Sequence, residues 1–167
     1  MKSIKSFIVI GLMAVSFVSQ AQKLAYIQLD SLLSIMPEMV QAKKVSADHY
    51  KELESTLTTM QKELNDKLAD YQSNEKNYTD LIKQTKQKEL QDMNQRIQDF
   101  QQQAQADFQK KNDELTKPVN EKAKKAIEKV AKAKGYKMVL DASAGGVLYS
   151  EPSDDIFPLV KAELGIK

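Results

Sequence analysis

From Glu38 to Lys134 the chain carries no glycine and one proline, Pro118, so almost a hundred residues pass without any other strong helix breaker. Apolar residues recur there as Leu53, Leu57, Met60, Leu64, Leu68 and Tyr71. They recur again as Met93, Ile97, Phe100, Ala104 and Phe108, followed by Leu115, Val119, Ala126 and Val130. Both series open with steps of four, three, four and four residues, which keeps each on one face of a helix. The mean period of about 3.67 residues predicts nearly straight or faintly right-handed packing rather than a left-handed heptad supercoil. One unbroken helix of this length would run roughly 145 Å, whereas folding it near the middle lets each half cover the other's stripe. The pattern therefore predicts an antiparallel helical hairpin over residues 37–134, with arms of roughly 60 Å. Its tip is expected between Ser73 and Lys86, where Ser73, Asn74, Asn77, Thr79 and Thr85 interrupt the stripe and compete for backbone hydrogen bonds.

The flanks carry a different signal. Lys23 to Leu29 (KLAYIQL) is apolar on both alternating faces and predicts a short strand, which must join a sheet. Asp30 is placed to cap a short helix over Ser31 to Met36, and Pro37 suits the first turn of the long helix that follows. Gly135 is expected to close the second long helix in the left-handed conformation. Tyr136 to Asp141 and Val147 to Ser150 read as two strands of a hairpin turned at Gly145 and Gly146. Ser153 or Asp154 is expected to cap a last helix reaching about Leu164, with Pro158 in its first turns. The fold class is α+β: residues 22–36 and 135–167 form a small β body, and the hairpin stands on it. One apolar side chain per turn, at about 1.5–3 kcal/mol when fully buried, opposes about 1–2 kcal/mol of backbone entropy per ordered residue. The body is therefore expected to associate with other copies of itself.

Lys2 and Lys5, the apolar run Phe7 to Val18 and the small residues around Gln20 make residues 1–21 a secretory signal peptide, with cleavage between Ala21 and Gln22. The run is shorter than the roughly 20 residues that span a bilayer. Removing Lys2 and Lys5 takes the 25 basic residues to 23, against 23 acidic ones, so the mature chain is close to neutral. Its charge is uneven: from Lys110 to Lys137 ten lysines face Asp113, Glu114, Glu121 and Glu128, a local net of +6. A basic helix can steer anionic partners, but an exported, neutral chain argues against nucleic acid.

The chain has no cysteine and one histidine, His49, and no spacing of a metal site or of a nucleophile with its base, which points away from an enzyme and from cofactors. Ala144-Gly145-Gly146 lacks the lysine and the strand-to-helix context of a phosphate loop and reads as turn chemistry. Asp154 and Asp155 read as a helix start rather than a calcium site. Pro118 removes the bond to the carbonyl of Glu114 and marks a candidate hinge at the root of the arm. Leu81 and Ile82, with Lys83 and Lys86 beside them, make an apolar spot with a basic rim near the expected tip, suited to a partner chain or an anionic surface.

Taken in order, the signal peptide, the opening KLAYIQLDSLLSIMPE at Lys23 to Glu38, the Gln- and Lys-rich helical middle and the block from Lys117 to Ile156 resemble the Skp (OmpH) family over essentially the whole mature chain. The resemblance implies a homotrimer with a β-barrel-like body and three helical tentacles. Between these, unfolded outer-membrane proteins are held without ATP on their way across the periplasm. It assigns trimerisation to the segments that hold Tyr26, Ile27 and Leu29, Met138, Val139 and Leu140, and Val147, Leu148 and Tyr149. The glutamines Gln98, Gln101, Gln102, Gln103, Gln105 and Gln109 form a neutral helix face, with a client-facing surface as the alternative. Familiar members are strongly basic where this mature chain is neutral, and Phe157 stands where threonine is common. The competing reading is a periplasmic coiled-coil spacer or tether that holds no unfolded client.

Overall fold

The computed structural model describes residues 23–166, so the expected leader and its cleavage point lie outside the described residues. The chain runs β1 (Leu24–Ile27), α1 (Leu29–Ile35), α2 (Pro37–Asn74), a 3-10 turn (Glu75–Asn77), α3 (Asp80–Lys134), β2 (Met138–Asp141), a second 3-10 turn (Pro152–Asp154) and α4 (Phe157–Glu163). Helices α2 and α3 form the hairpin. Its turn falls at Glu75–Thr79, where Thr79 caps α3 by accepting a hydrogen bond from the Ile82 N–H. With 38 residues in α2 and 55 in α3, the longer helix overshoots the shorter at the root. The overshoot brings Ala123, Ala126 and Val130 into the body, whose core also holds Ala25, Ile27, Leu32, Met36, Ile156 and Val160.

Helix α3 ends at Gly135, with φ +74°. The Tyr136 N–H donates to the Ala131 carbonyl and the Gly135 N–H to that of Lys132, the paired bonds of a Schellman stop. The chain thus returns beside its own beginning, and β1 and β2 pair in parallel with Leu24 opposite Met138 and Tyr26 opposite Leu140. Parallel pairing is open to them because the whole hairpin lies between the strands as a crossover.

Three expectations need correction. No strand forms over Val147–Ser150, and β2 pairs with β1 rather than with that segment. After β2 the chain must cross to the far side of β1, where Asp155 bridges Tyr26 and the Ile156 N–H donates to the Tyr26 carbonyl at 3.1 Å. Residues 142–154 follow that route without pairing with the outer edge of β2. Asp30 is not the cap of α1 but lies in its first turn. The capping is done from across the sheet: the Leu29 N–H donates to Asp141 Oδ1 at 3.3 Å and the Asp30 N–H to Ser143 Oγ at 2.9 Å. Neither Ser153 nor Asp154 caps α4; they sit in the preceding 3-10 turn, and Asp155 Oδ1 accepts from the Phe157 N–H at 2.8 Å.

Asp141 also accepts from the Ser143 N–H, and these donors hold its carboxyl below the ordinary value of 3.8, the Ser143 backbone bond foremost and the Leu29 bond in support. A carboxylate with a lowered folded-state pKa stabilises above its unfolded value and loses that contribution as pH falls through the folded one. Asp141→Ala is expected to cost about 1 kcal/mol at neutral pH, the ordinary worth of a helix cap. In acid titrations followed by circular dichroism, the gap between wild type and variant should close below pH 3.8. A gap that stays constant into strong acid would show that the carboxylate charge is not what stabilises.

Candidate interaction surfaces

The parallel register sorts the sheet into two faces. Ala25 and Ile27 are buried against the helices with Val139, and so belong to the protomer's own core, as does half-buried Leu29. Leu24, Tyr26, Met138 and Leu140 share the opposite face, where Met138 is 54% exposed and Leu24 and Leu140 are about 40% exposed. Tyr26 is half-buried, so this apolar face is left partly open to solvent. Beta pairing is also incomplete: the far edge of β1 is taken by Asp155 and Ile156, whereas β2 has no strand on its outer edge among the described residues. Leu148 and Tyr149, at 97% and 80% exposure, stand out from the loop that follows β2. Exposed apolar side chains next to an open strand edge are features that interaction surfaces share.

The arm is held by different chemistry along its length. At the root, Glu38 pairs with Lys122, Ser46 Oγ donates to Asn112 Oδ1 at 3.3 Å, and His49 Nε2 lies 2.7 Å from Asp107 Oδ2. Near the tip, Lys67 bonds Glu89 at 2.5 Å and Lys86 reaches Asp70 at 3.4 Å, while Gln87 donates to the Tyr71 hydroxyl at 2.9 Å. The Lys67 ammonium lowers the Glu89 carboxyl's pKa by its hydrogen bond and charge. The seam drifts toward Lys67 here, which leaves Leu68 39% exposed at its margin. Pro118 lies within the unbroken helix α3 and lines an apolar groove of about 670 Å³ with Pro37, Val45 and Leu115, where the arm meets the body.

At the tip the structure separates the expected residues. Leu81 points outward with 74% exposure and Ile82 is 42% exposed. Lys83 is half-buried, and Lys86 turns inward, pairing with Asp70 and approaching the Tyr78 ring at 5.6 Å. The cross-sheet cap at Asp141 and Ser143 and the seam pair His49–Asp107 were invisible to periodicity, because their partners are more than fifty residues apart.

Among the described residues no helix is long and apolar enough to cross a membrane, and no group of three or more His, Cys, Asp or Glu residues is placed to hold a metal. A long two-helix arm stands on a small body whose sheet has one partly exposed apolar face. The family model described as outer membrane protein (OmpH-like) matches residues 23–164, and the chain belongs to that family, the Skp (OmpH) family. Among solved structures, it is similar to a protein from Caulobacter crescentus CB15 described as a candidate outer membrane chaperone (OmpH-like). The match has a TM-score of 0.74 at 15% identity and covers 85% of this chain and 83% of that one, a likeness of fold. A search of curated proteins by sequence found no match.

Proposed function

We propose that this protein is an ATP-independent periplasmic holding chaperone. Three copies join through their β bodies, and the three arms enclose a cavity in which an unfolded outer-membrane protein is kept from aggregating. The observation that carries the reading is the apolar sheet face of Leu24, Tyr26, Met138 and Leu140, partly exposed beside an open strand edge at the base of a thin arm. Closing three such faces on one another removes them from water and sets three arms around a common axis. Membership of the OmpH-like family and the solved structure described as a candidate chaperone support the rest. The expected leader suits the periplasm.

Many weak contacts along the arms hold an extended client without a rigid pocket, and no nucleotide or other cofactor is needed. The outward Leu81 at the tip, with Lys83 beside it, serves as a further client contact or a weak contact to an anionic surface. Pro118 serves as the root hinge. Pro118→Ala restores the bond to the Glu114 carbonyl and is expected to stabilise the arm by up to about 3 kcal/mol. Spin-label distances between arm tips should narrow in parallel; an unchanged distribution sinks the hinge.

The function is tested by diluting an unfolded outer-membrane barrel protein from urea and following light scattering. Suppression at about one trimer per client, without ATP, supports a holdase. Scattering that is unchanged by the protein points to a spacer or tether.

A further inference from the structure

The middle of the arm differs from both ends. From Leu53 to Leu64 on α2 and from Met93 to Ala104 on α3, no hydrogen bond or ion pair crosses the seam among the described residues. Side-chain packing alone joins the helices there. Ala104 contributes only a methyl group, and a groove opens on each side of it. One groove includes Asp107 and Lys110 in its lining. The other, about 330 Å³, is walled by Tyr50, Leu53, Leu57, Phe100 and Phe108. Tyr50 is 53% exposed and meets Phe108 edge to face, with ring centroids 5.5 Å apart.

Gln101 and Gln105 also line this second groove, and Glu54 is its one charged residue. Each glutamine amide offers both donors and an acceptor. Their spacing on one helix face, about 6 Å, is close to the roughly 6.6 Å between alternate residues of an extended strand. A groove with an aromatic wall, neutral amides and almost no charge matches a neutral, extended segment bearing a large apolar or aromatic side chain. An acidic segment would lose hydration there and meet the Glu54 carboxylate instead of a counter-ion, and a multiply charged one would find no more than that single partner. Strands of outer-membrane barrels alternate apolar and polar residues and carry aromatic girdles, so an unfolded barrel protein supplies many such segments.

We infer that the groove between Tyr50 and Gln105 is the arm's client-binding face, taking one aromatic side chain of an extended barrel strand while Gln101 and Gln105 bond its backbone. This rests on the holdase reading and specifies which face of the arm meets the client. Similar side chains elsewhere on the client compete for the groove, so contact is repeated and exchangeable.

The test uses the full mature protein and a ten-residue synthetic peptide of alternating valine and threonine with one central tryptophan. The protein has no tryptophan, so emission reports the peptide alone. Binding to wild type should shift that emission to the blue. Gln101→Glu with Gln105→Glu places two carboxylates on the groove and should weaken binding at least fivefold, as should Tyr50→Ser. Gln102→Glu with Gln109→Glu adds the same charge to exposed positions of the same helix outside both grooves and should change affinity less than twofold. Equal weakening by the two double variants, with unchanged helicity, overturns the assignment. A chain carrying Gln105→Cys, its only cysteine, also tests for a second copy in the groove. Disulfide-linked dimers that the peptide does not prevent would overturn the assignment too. If wild type keeps a barrel protein soluble yet does not bind the peptide, the groove assignment fails and the holdase stands. If it does neither, the holdase reading itself fails.

Discussion

Leu140→Asp is expected to convert the proposed trimer into monomers at micromolar concentration while leaving most of the helix signal intact. Leu140 lies on the partly exposed face of the sheet with Leu24, Tyr26 and Met138, and Asp141 already follows it in the chain. Burying one more carboxylate without a counter-ion costs several kcal/mol at each site, and a symmetric trimer repeats that cost three times. The protomer should survive because the other face of the sheet, with Ala25 and Ile27, packs against Leu32, Ala123 and Val130 and is not touched by the change. Sedimentation velocity distinguishes the outcomes. An assembly of unchanged mass in Leu140→Asp would place the contact elsewhere, with exposed Leu148 and Tyr149 the next surface to test.

Leu32→Ala should have the opposite signature, a loss of protomer stability rather than of contact. Leu32 is fully enclosed, as are Met36, Ile156 and Val160, and it sits where α1 packs into the small core shared by β1, α3 and α4. Large-to-small changes at such sites cost about 2–5 kcal/mol, the larger values where the surroundings cannot collapse into the space. Collapse is hindered here because α1 is pinned at its N-terminus by Asp141 and Ser143 and joins α2 directly at Pro37. Urea unfolding should show the midpoint fall sharply with little change in slope. A cost below about 1 kcal/mol would mean that the cavity is refilled and that α1 is not a rigid part of the body.

The arm was legible in the sequence because its information is local. Glycine-free helix formers and the apolar stripes define two facing helices, although the last step of four lands on exposed Leu68, and the polar cluster after Tyr71 confines the turn to the window Ser73 to Lys86. Gly135 was legible for the same reason, since a left-handed helix stop favours that residue type. The body was less so. Val147 to Ser150 has the composition of a strand, yet it pairs with no edge among the described residues and leads on to Asp155 on the far side of β1. Asp30 looks like a helix cap by residue type, yet Asp141 and Ser143 arrive from more than a hundred residues away to take that role. The candidate binding face was half visible: the glutamine run stood out, whereas Tyr50 lies off the regular stripe and joins Phe108 only when the helices pair.

In the proposed holdase, bodies join in threes so that arms surround one client. Mass determination by light scattering after size exclusion tests it most directly, on the mature protein alone and after addition of an unfolded outer-membrane barrel protein. The expected masses are three chains alone and three chains plus one client in the complex. A monomer, or a trimer that emerges separately from aggregated client, would contradict it.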